Sequence, residues 1–583
     1  MTIDGITLAL VIKELQFLAQ AKIEKIYQPN KDEITLLLHT SKGRKRLLFS
    51  ASAADSRMHI IETGRENPQK APNFCMLLRK HLLNGRIVSL AQEGLDRIVK
   101  IEIASYDEMG VLQQFTLVIE MMGKYSNIIL LNSENRVLDA IKRVSMDTSR
   151  VRQIFPGIAY EIERNEKANP LTTDEATLRA ALTDVIEPRA LVRKIQGLSP
   201  AAAEEIFYRA YGENTPTVFT DTESAQLFSA TKHFFETCFT APMPTFETNA
   251  AGLPVFFSPI PFTLYPDRKR YPYESANEML DAFYTARDRY LLLERKRERL
   301  QKVLTKQLGR VEKTLKIQLE TLQGGEDADK YLLYGELVSA NIYQLQRGMK
   351  EAVLLNYYTN EEITVPLDET LSPAANATKF FKRASKMKNG ALLAKTRVEN
   401  LQEEHSFLEA LQFDLKNATT FDGLEEIEGE LIRYKYITPE KQAKIKRSDP
   451  LSHPRQFLTS NGLKILAGRN NRQNDVLTMR VAGAEDIWFH TKDIPGSHVI
   501  LFTGQKQAAE QDLLEAATIA ATLSAAKGGK VSVDHTLRKH IWKANGAKPG
   551  MVLFENQKTL MAEPDPVLLR KLEVLEETHQ EER

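Results

Sequence analysis

The stretch 302-KVLTKQLGRVEKTLKIQLETLQ-323 sets the architecture. Leu304, Leu308, Val311, Leu315 and Leu322 follow alternating steps of four and three, with Gln318 at the one polar position. That is the seam of a coiled coil, whose a and d side chains face a partner helix. Helix-compatible sequence reaches back to Ala276, and a second helix predicted over 376–417 repeats the seam through Leu401, Leu408, Leu411 and Leu415. Between them lie a short helix near 331–344 and two strand-like runs, 352–358 and 362–367. Two heptad helices around a small insert imply an antiparallel arm, residues 276–435, with a tip at 324–372. At about 1.5 Å per residue the arm reaches roughly 60 Å.

The arm's charge is lopsided. Residues 287–316 hold 11 bases and 4 acids, and residues 379–397 hold 7 bases and no acid. A solvated face is the ordinary reading of such runs. Coiled coils usually balance Glu against Lys, however, so two basic runs on partnered helices favour a stripe that faces phosphates.

Outward from the arm, the rest of the chain divides by composition. At 583 residues it is too long for one core, and roughly three to five domains are expected. Residues 1–170 alternate apolar and polar positions over 33–38, 46–50, 98–103, 115–120 and 126–131, with a turn at NSEN (132–135) before 137–142. Helices are predicted over 6–19 and 74–84, giving an α+β domain. Residues 171–275 begin with helices. In LVRKIQGLSPAAAEEIFYRA (191–210) one ends at Gly197 and the next starts with Ser199 as cap and Pro200 at its first position. Such a hairpin is either a helix joint or a set of N–H groups aimed at a phosphate. Seven prolines between Pro242 and Pro272 predict an irregular connector. Residues 446–563 form a compact α/β domain, and 564–583 an acidic tail.

The net charge of +1 averages unlike regions. From Leu431 to Leu560 there are 20 Lys/Arg against 11 Asp/Glu, whereas the tail from Glu563 carries 7 acids and 3 bases. A polyanion meets one surface, not the average. Cys75 and Cys238 are the only cysteines, which excludes a disulfide scaffold and a multi-cysteine zinc site and fits a reducing compartment. MTIDGITLALVIKEL has no basic n-region, and no stretch approaches the roughly 18–20 apolar residues of a membrane span. The cytoplasm is the expected location, with no membrane partner.

Chemistry concentrates near the C-terminus, which holds both tryptophans and five of the eleven histidines. Arg469, Asn470 and Asn471 sit in a polar turn. Asp486, Trp488, His490 and Lys492 precede a glycine turn bearing Ser497 and His498, and Lys548 lies in NGAKPGMV. Aromatic faces interleaved with bases suit irregular RNA, though a lone tryptophan is more often core than platform. Asp486, His490 and His498 could instead form a hydrolytic site, but their spacing matches no metal-ligand pattern. No P-loop, dinucleotide fold, zincin helix or serine elbow occurs, so no cofactor, metal or catalytic residue is assigned. In the N-terminal domain Asp96-Arg97 opens a strand, where it is either a local ion pair or a bidentate grip on phosphate or base. Glu120, Met121, Met122, Gly123 and Lys124 close a neighbouring strand on a glycine turn.

The opening MTIDGITLALVIKEL, FCMLLRKHL (74–82), GLDR (94–97), EMMGKYSNIIL (120–130), GRNNRQND (468–475), DIWFHTKDIPGSHVIL (486–501) and NGAKPGMV (545–552) together resemble the NFACT family nearly end to end. The resemblance implies a non-catalytic adaptor in ribosome-associated quality control. It would bind the large ribosomal subunit, through rRNA and stalk-base proteins, when peptidyl-tRNA obstructs it. There it would recruit tRNA, specifically alanyl-tRNA, for template-free C-terminal alanine tails made by the ribosome's own peptidyl-transferase centre. An accessory quality-control factor is a further implied partner. By position, Asp96 and Arg97 match the family's tRNA-recruiting pair, and residues 120–124 match a turn facing the anticodon arm. The family often carries Arg where Lys124 stands and His where Tyr125 stands. The family's N-terminal and helical-hairpin domains are also similar to formamidopyrimidine-DNA glycosylases. Here Thr2 and Ile3 replace the required proline and glutamate, so the scaffold is expected without that chemistry. Two other readings are a surface fibronectin- or fibrinogen-binding adhesin, which requires export, and a metal-dependent nucleic-acid enzyme using Asp486, His490 and His498.

Overall fold

The computed structural model describes residues 2–107, 109–145, 152–162, 166–214, 216, 219–439, 453–504 and 507–574. The acidic tail beyond 574 and the segment 440–452 lie outside these. The chain forms two units, Met1–Leu291 and Leu292–Arg583.

In the first unit, helix α1 (Gly5–Glu14) is followed by strands β1 (Lys22–Asn30), β2 (Glu33–Thr40), β3 (Gly43–Ser50) and β4 (Arg57–Ile61). Helix α2 (Asn73–Leu82) then leads to β5 (Arg86–Gln92), β6 (Ile98–Tyr106), β7 (Leu112–Glu120), β8 (Asn127–Leu131) and β9 (Val137–Ala140). All nine strands make one antiparallel sheet, ordered β4-β3-β2-β1-β5-β6-β7-β8-β9. Sequence alternation had pointed to β2, β3 and β6–β9 but not to β1, β4 or β5. Bulges at Ile23/Lys25 and Ile87/Ser89 slip the alternation of β1 and β5 by one residue. In β4 the polar Arg57 and His59 are buried among partners, so no polar face shows.

Helices α3 (Glu175–Leu182), α4 (Pro188–Lys194), α5 (Pro200–Tyr211) and α6 (Asp221–Thr240) pack around a second core containing Leu191, Ile206, Phe234 and Phe262. The proline-rich stretch is not irregular. It folds into a three-stranded sheet of β10 (Thr245–Thr248), β11 (Pro254–Ser258) and β12 (Lys269–Pro272), ordered β11-β10-β12. Pro254 and Pro272 sit at strand ends, where a missing N–H breaks no central ladder. Phe246 stacks on Tyr271, and Phe257 meets Phe283 edge-on.

The long helix α7 (Ala276–Gly324) begins in this unit, and its first turn is capped by a residue from α1. The Glu14 carboxylate accepts from the Ser275 hydroxyl at 2.7 Å, the Ala276 and Asn277 N–H groups at 2.7 and 3.0 Å, and the Asn277 side chain at 2.8 Å. A carboxylate there satisfies orphan donors and faces the positive end of the helix dipole. Glu14→Ala is expected to cost about 1–2 kcal/mol, and limited proteolysis should show faster cleavage between 270 and 290. Unchanged protection there would refute this role.

In the second unit α7 continues and is followed by α8 (Ala328–Ala340), the hairpin β13 (Glu351–Asn356) and β14 (Glu361–Pro366), α9 (Pro373–Asn417) and α10 (Phe421–Arg433). Leu300, Leu304, Leu308 and Val311 pack with Phe407, Leu408, Leu411 and Leu415. Glu312 meets His405, and Gly325 lies so close to Ala391 that a β-carbon there would fall 2.4 Å from the alanine methyl. Residue numbers rise on one helix as they fall on the other, so α7 and α9 are antiparallel, and α9 alone runs about 68 Å. Helix α10, not read from the sequence, closes the base with Leu424, Ile427 and Leu431. It also changes the charge reading, because Glu428 pairs with Lys296 and Arg299. Acids distant in sequence thus neutralise part of the first basic run.

The chain ends in β15 (Arg455–Leu458), β16 (Lys464–Ala467), α11 (Asn471–Val476), β17 (Ile487–Thr491), β18 (Val499–Phe502), α12 (Glu510–Thr522), β19 (Val531–Leu537), β20 (Ile541–Trp542), β21 (Leu553–Phe554), β22 (Lys558–Ala562) and α13 (Pro566–Leu572). Six strands form an antiparallel sheet ordered β15-β16-β18-β17-β19-β22. Helix α12 covers one face through Ala516, Ala517 and Ala520, while Ile541 and Phe554 of the small β20–β21 pair cover the other.

Candidate nucleic-acid interface

Three turns distant in sequence converge in the first unit. Asp96 and Arg97, both half-buried, end the turn between β5 and β6. The Asp96 carboxylate accepts the Arg97 N–H at 2.7 Å, and the Gln92 amide donates to both Gly5 O and Asp96 O. The α4–α5 turn docks against this loop. The Gly5 N–H donates to Gly197 O at 3.1 Å, and the Leu95 N–H donates to Gln196 Oε1 at 3.1 Å. Gly197 has a φ of +87°, and a β-carbon there would press on Leu95 at 3.0 Å, so glycine is required on both counts. Asp4, N-cap of α1, sits among these turns. Burial raises its carboxyl above the ordinary range, opposed by Thr7, Ser199 and the Arg97 charge. The Asp-Arg pair and the helical hairpin are therefore parts of one surface.

The β6–β7 ladder brings residues 120–124 alongside, with the Met121 N–H donating to Arg97 O at 2.9 Å. Only part of that run faces outward. Glu120 and Met121 are fully buried. The Glu120 carboxylate takes an ion pair from Arg152 and a 2.7 Å hydrogen bond from the Tyr160 hydroxyl. Burial, then the charge of Glu120, holds the Tyr160 phenol well above its usual range. Met122 and Gly123 are half-buried, Gly123 in the left-handed region with φ +60°. Lys124 and Tyr125 are exposed, with the ammonium 4.8 Å from the ring centre. This side-by-side cation and aromatic face can contact a phosphate and stack on a base.

In the C-terminal domain the expected residues separate into two groups. Trp488 is 1% exposed, so it offers no stacking platform. It lies on the central strand β17, stacked on His490, edge-on to His498 and tilted against Phe554. Trp542, at 44% exposure, is the accessible tryptophan, and its place in a two-residue strand gave no sequence signal. Burial lowers His490, and pushes His498 well below the ordinary imidazole range. His498 Nδ1 lies 2.8 Å from the Thr478 hydroxyl, and the His498 backbone N–H donates to Asn474 Oδ1. Asp486 caps its own turn, accepting from the Gly483 and Thr503 N–H groups at 2.8 and 3.1 Å. Four residue steps along the extended chain separate it from His490, about 13 Å, so Asp486 does not join His490 and His498, whose rings lie 5.3 Å apart, as a hydrolytic site requires. Lys492 is exposed.

The second group surrounds a cleft of about 390 Å³ against the base of the arm, lined by Arg469, Asn470, Ser497, Asp414, Thr420 and Arg455, among others. The cap of α11, Asn470, donates to Glu426, while the Asn471 N–H donates to Asp414 at 3.1 Å. Arg469, exposed, donates to His453 O at 2.8 Å. The Lys548 ammonium sits 4.6 Å from the Phe407 ring, near Tyr434 and Tyr436, and burial lowers its pKa. The Asn470 and Lys548 side chains and the Asn471 backbone are thus engaged by the protein itself.

Fold and site together define a multidomain α+β protein in which a helical arm stands, in chain order, between an antiparallel-sheet unit and a compact C-terminal sheet domain. Residues 4–450 match the model of NFACT N-terminal and middle domains, and residues 453–556 that of the NFACT protein RNA binding domain. The chain belongs to the NFACT family. It is 35% identical over 560 residues to the Rqc2 homolog RqcH of Bacillus subtilis (strain 168), covering 94% of this chain and 96% of that one. It is 24% identical over 394 residues to the ribosome quality control complex subunit NEMF of Mus musculus, covering 62% of this chain and 35% of that one. A crystal structure of the fibrinogen binding protein from Staphylococcus aureus aligns with TM-score 0.42 and 28% identity, covering 49% of this chain and 99% of that one.

Proposed function

We propose that this chain is a non-catalytic adaptor of ribosome quality control. It binds large ribosomal subunits obstructed by peptidyl-tRNA and recruits alanyl-tRNA for template-free C-terminal alanine tailing. Near-full-length similarity to a protein named Rqc2 homolog supports the pathway, and the match to an RNA binding domain supports the partner class. The observation that carries the tRNA reading is the convergence of Asp96-Arg97, the Gly197 turn and the exposed Lys124-Tyr125 pair on one unit. Arg97 supplies a planar donor fork for a phosphate or base edge, and Asp96 holds the loop by accepting the Arg97 N–H. Lys124 adds backbone charge. The C-terminal domain, through Arg469, Lys492, Ser497 and the accessible Trp542, contacts rRNA or peptidyl-tRNA, and the arm's α9 cations extend the phosphate-facing surface. Peptide bonds are made by the ribosome's own centre, so the adaptor needs to position tRNA and nothing more. The site of action is the cytoplasm.

Ultraviolet crosslinking with sequencing of bound RNA tests this. Asp96→Ala/Arg97→Ala is expected to reduce capture of one tRNA species at least tenfold while rRNA crosslinks persist. Equal tRNA capture by wild type and double variant would refute the site. Absence of both tRNA and rRNA crosslinks in the wild type would refute the function.

A further inference from the structure

The nine-stranded sheet carries an ordered row of basic side chains that the tRNA reading does not use. Strand register places Arg44 of β3 opposite His39 of β2, His39 opposite Lys22 of β1, and Lys22 opposite Arg86 of β5. Directly opposed residues project from the same face. The Arg44 and His39 side chains are 71% and 64% exposed, Arg86 is exposed and Lys22 half-exposed. Two residues along, Arg46 and Lys25, both exposed, flank Leu37 in a second row. Among the described residues one acid pairs with them, Glu24 at the β1 bulge, 2.9 Å from Arg44. Among the described residues, Lys22, Lys25 and Arg86 make no ion pair. The Arg86 guanidinium donates instead to the carbonyl of Gln20.

Like charges directly opposed across a sheet are destabilising, so Lys22 beside Arg86 is a cost that no carboxylate among the described residues offsets by an ion pair. The row crosses four strands at about 4.8 Å each, a span of roughly 14 Å. A nucleic-acid strand carries a phosphate about every 3.4 Å of axis rise and presents about four over that length. A lipid surface would call for well-exposed apolar residues flanking the basic ones; among the described residues of these strands the apolar side chains on that face are Val88, 42% exposed, and the half-buried Leu37 and Tyr27.

From this we infer that the outer face of β1, β2, β3 and β5 is a second RNA-binding surface, gripping the phosphodiester backbone without reading sequence. It is separate from the Asp96-Arg97 site in residues and in chemistry, and it does not depend on tRNA recruitment. Its consequence is that the N-terminal unit holds RNA at two places. One positions a particular tRNA, and the other adds salt-sensitive affinity for any RNA backbone beside it.

Binding of the full-length chain to a fluorescein-labelled 20-base-pair RNA duplex of mixed sequence, followed by anisotropy between 50 and 200 mM KCl, tests the proposal. Lys22→Gln/Arg44→Gln/Arg86→Gln is expected to flatten the slope of log affinity against log salt by about two to three. A mixed-sequence duplex has no anticodon arm, so the difference in slope between wild type and triple variant reads this face, and failure of the tRNA site registers in the crosslinking experiment alone. Unaltered affinity and slope in the triple variant would overturn the proposal. So would loss of binding to phosphatidylserine vesicles with RNA binding intact, which would assign the face to a lipid surface. Thiol labelling of the buried Cys75 and Cys238 reports whether the triple variant is folded. If it is not, Arg44→Gln alone must flatten the slope by about one, and no change there would be equally decisive.

Discussion

Replacing Glu120 by alanine is expected to destabilise the first unit by about 3 kcal/mol. The carboxylate is fully buried, and its removal leaves the Arg152 guanidinium and the Tyr160 hydroxyl without their shared acceptor. Breaking a buried pair from one side costs about 3–5 kcal/mol. The lower end applies because the Arg152 side chain is 31% exposed and water compensates part of its loss. Both cysteines are buried in this unit, so thiol labelling under native conditions reads its opening alone. About a hundredfold faster labelling is expected, since 1.4 kcal/mol is a factor of ten. Glu120→Gln retains an oxygen for Tyr160 and should fall between alanine and wild type. Equal labelling rates for alanine variant and wild type would refute a structural role and return Glu120 to the tRNA-contacting set. The experiment matters for function because this residue belongs to the turn expected to face tRNA, and its loss would reduce tRNA capture indirectly.

A second large effect has the opposite sign. Glu430, on α10, is 5% exposed, and one carboxylate oxygen has no hydrogen-bond partner among the described residues. Burial raises its pKa to about 7, with Asp475 and Glu426 adding to the rise and Arg433 and Arg472 opposing it. Nearby Asp414 is pushed well above its ordinary range, first by burial and then by the Glu430 charge. A carboxyl whose folded pKa exceeds its unfolded value binds more protons when folded. Its folded state is therefore favoured most below about pH 4.5 and loses stability as pH rises toward 7. Glu430→Gln removes the charge while keeping the shape. The variant should be more stable than wild type by roughly 2–3 kcal/mol at pH 8, with the difference vanishing by about pH 4.5. Both tryptophans lie in the second unit, so fluorescence-detected urea unfolding follows it. Identical midpoints at pH 8 would show that Glu430 is solvated or paired in solution. Asp414 keeps its own raised pKa, so some pH dependence should survive in the variant.

These two carboxylates show where sequence reading stops. Glu120 stands in a motif, residues 120–124, for which the family resemblance implies a turn facing the anticodon arm. In a strand, though, consecutive side chains alternate faces, and only the ladder with β6 and the arrival of Arg152 and Tyr160 decide which face is buried. Glu430 carries no sequence signal, because an isolated acid in an amphipathic helix gives no sign of burial. Trp488 failed as a platform for the same reason. Aromatic content is visible in sequence, but whether a ring lies on a central or an edge strand is not.

Local patterns needed no tertiary context. The heptad seam from Leu304 to Leu322 and its partner from Leu401 to Leu415 specified the two long helices, since a 3.5-residue repeat demands a facing helix wherever it occurs. Ser199-Pro200 marked the start of α5 because capping and proline geometry act within one turn. What folding alone decided was convergence. Leu95 meets Gln196, and Met121 meets Arg97, because strand pairing and helix docking bring turns together across up to about a hundred residues of chain. The basic side chains of β1, β2, β3 and β5 line up only through inter-strand register, and α10 neutralises the arm's root only after the chain doubles back. Pair energies depend on distance in space, and sequence separation carries no such information until the backbone is placed.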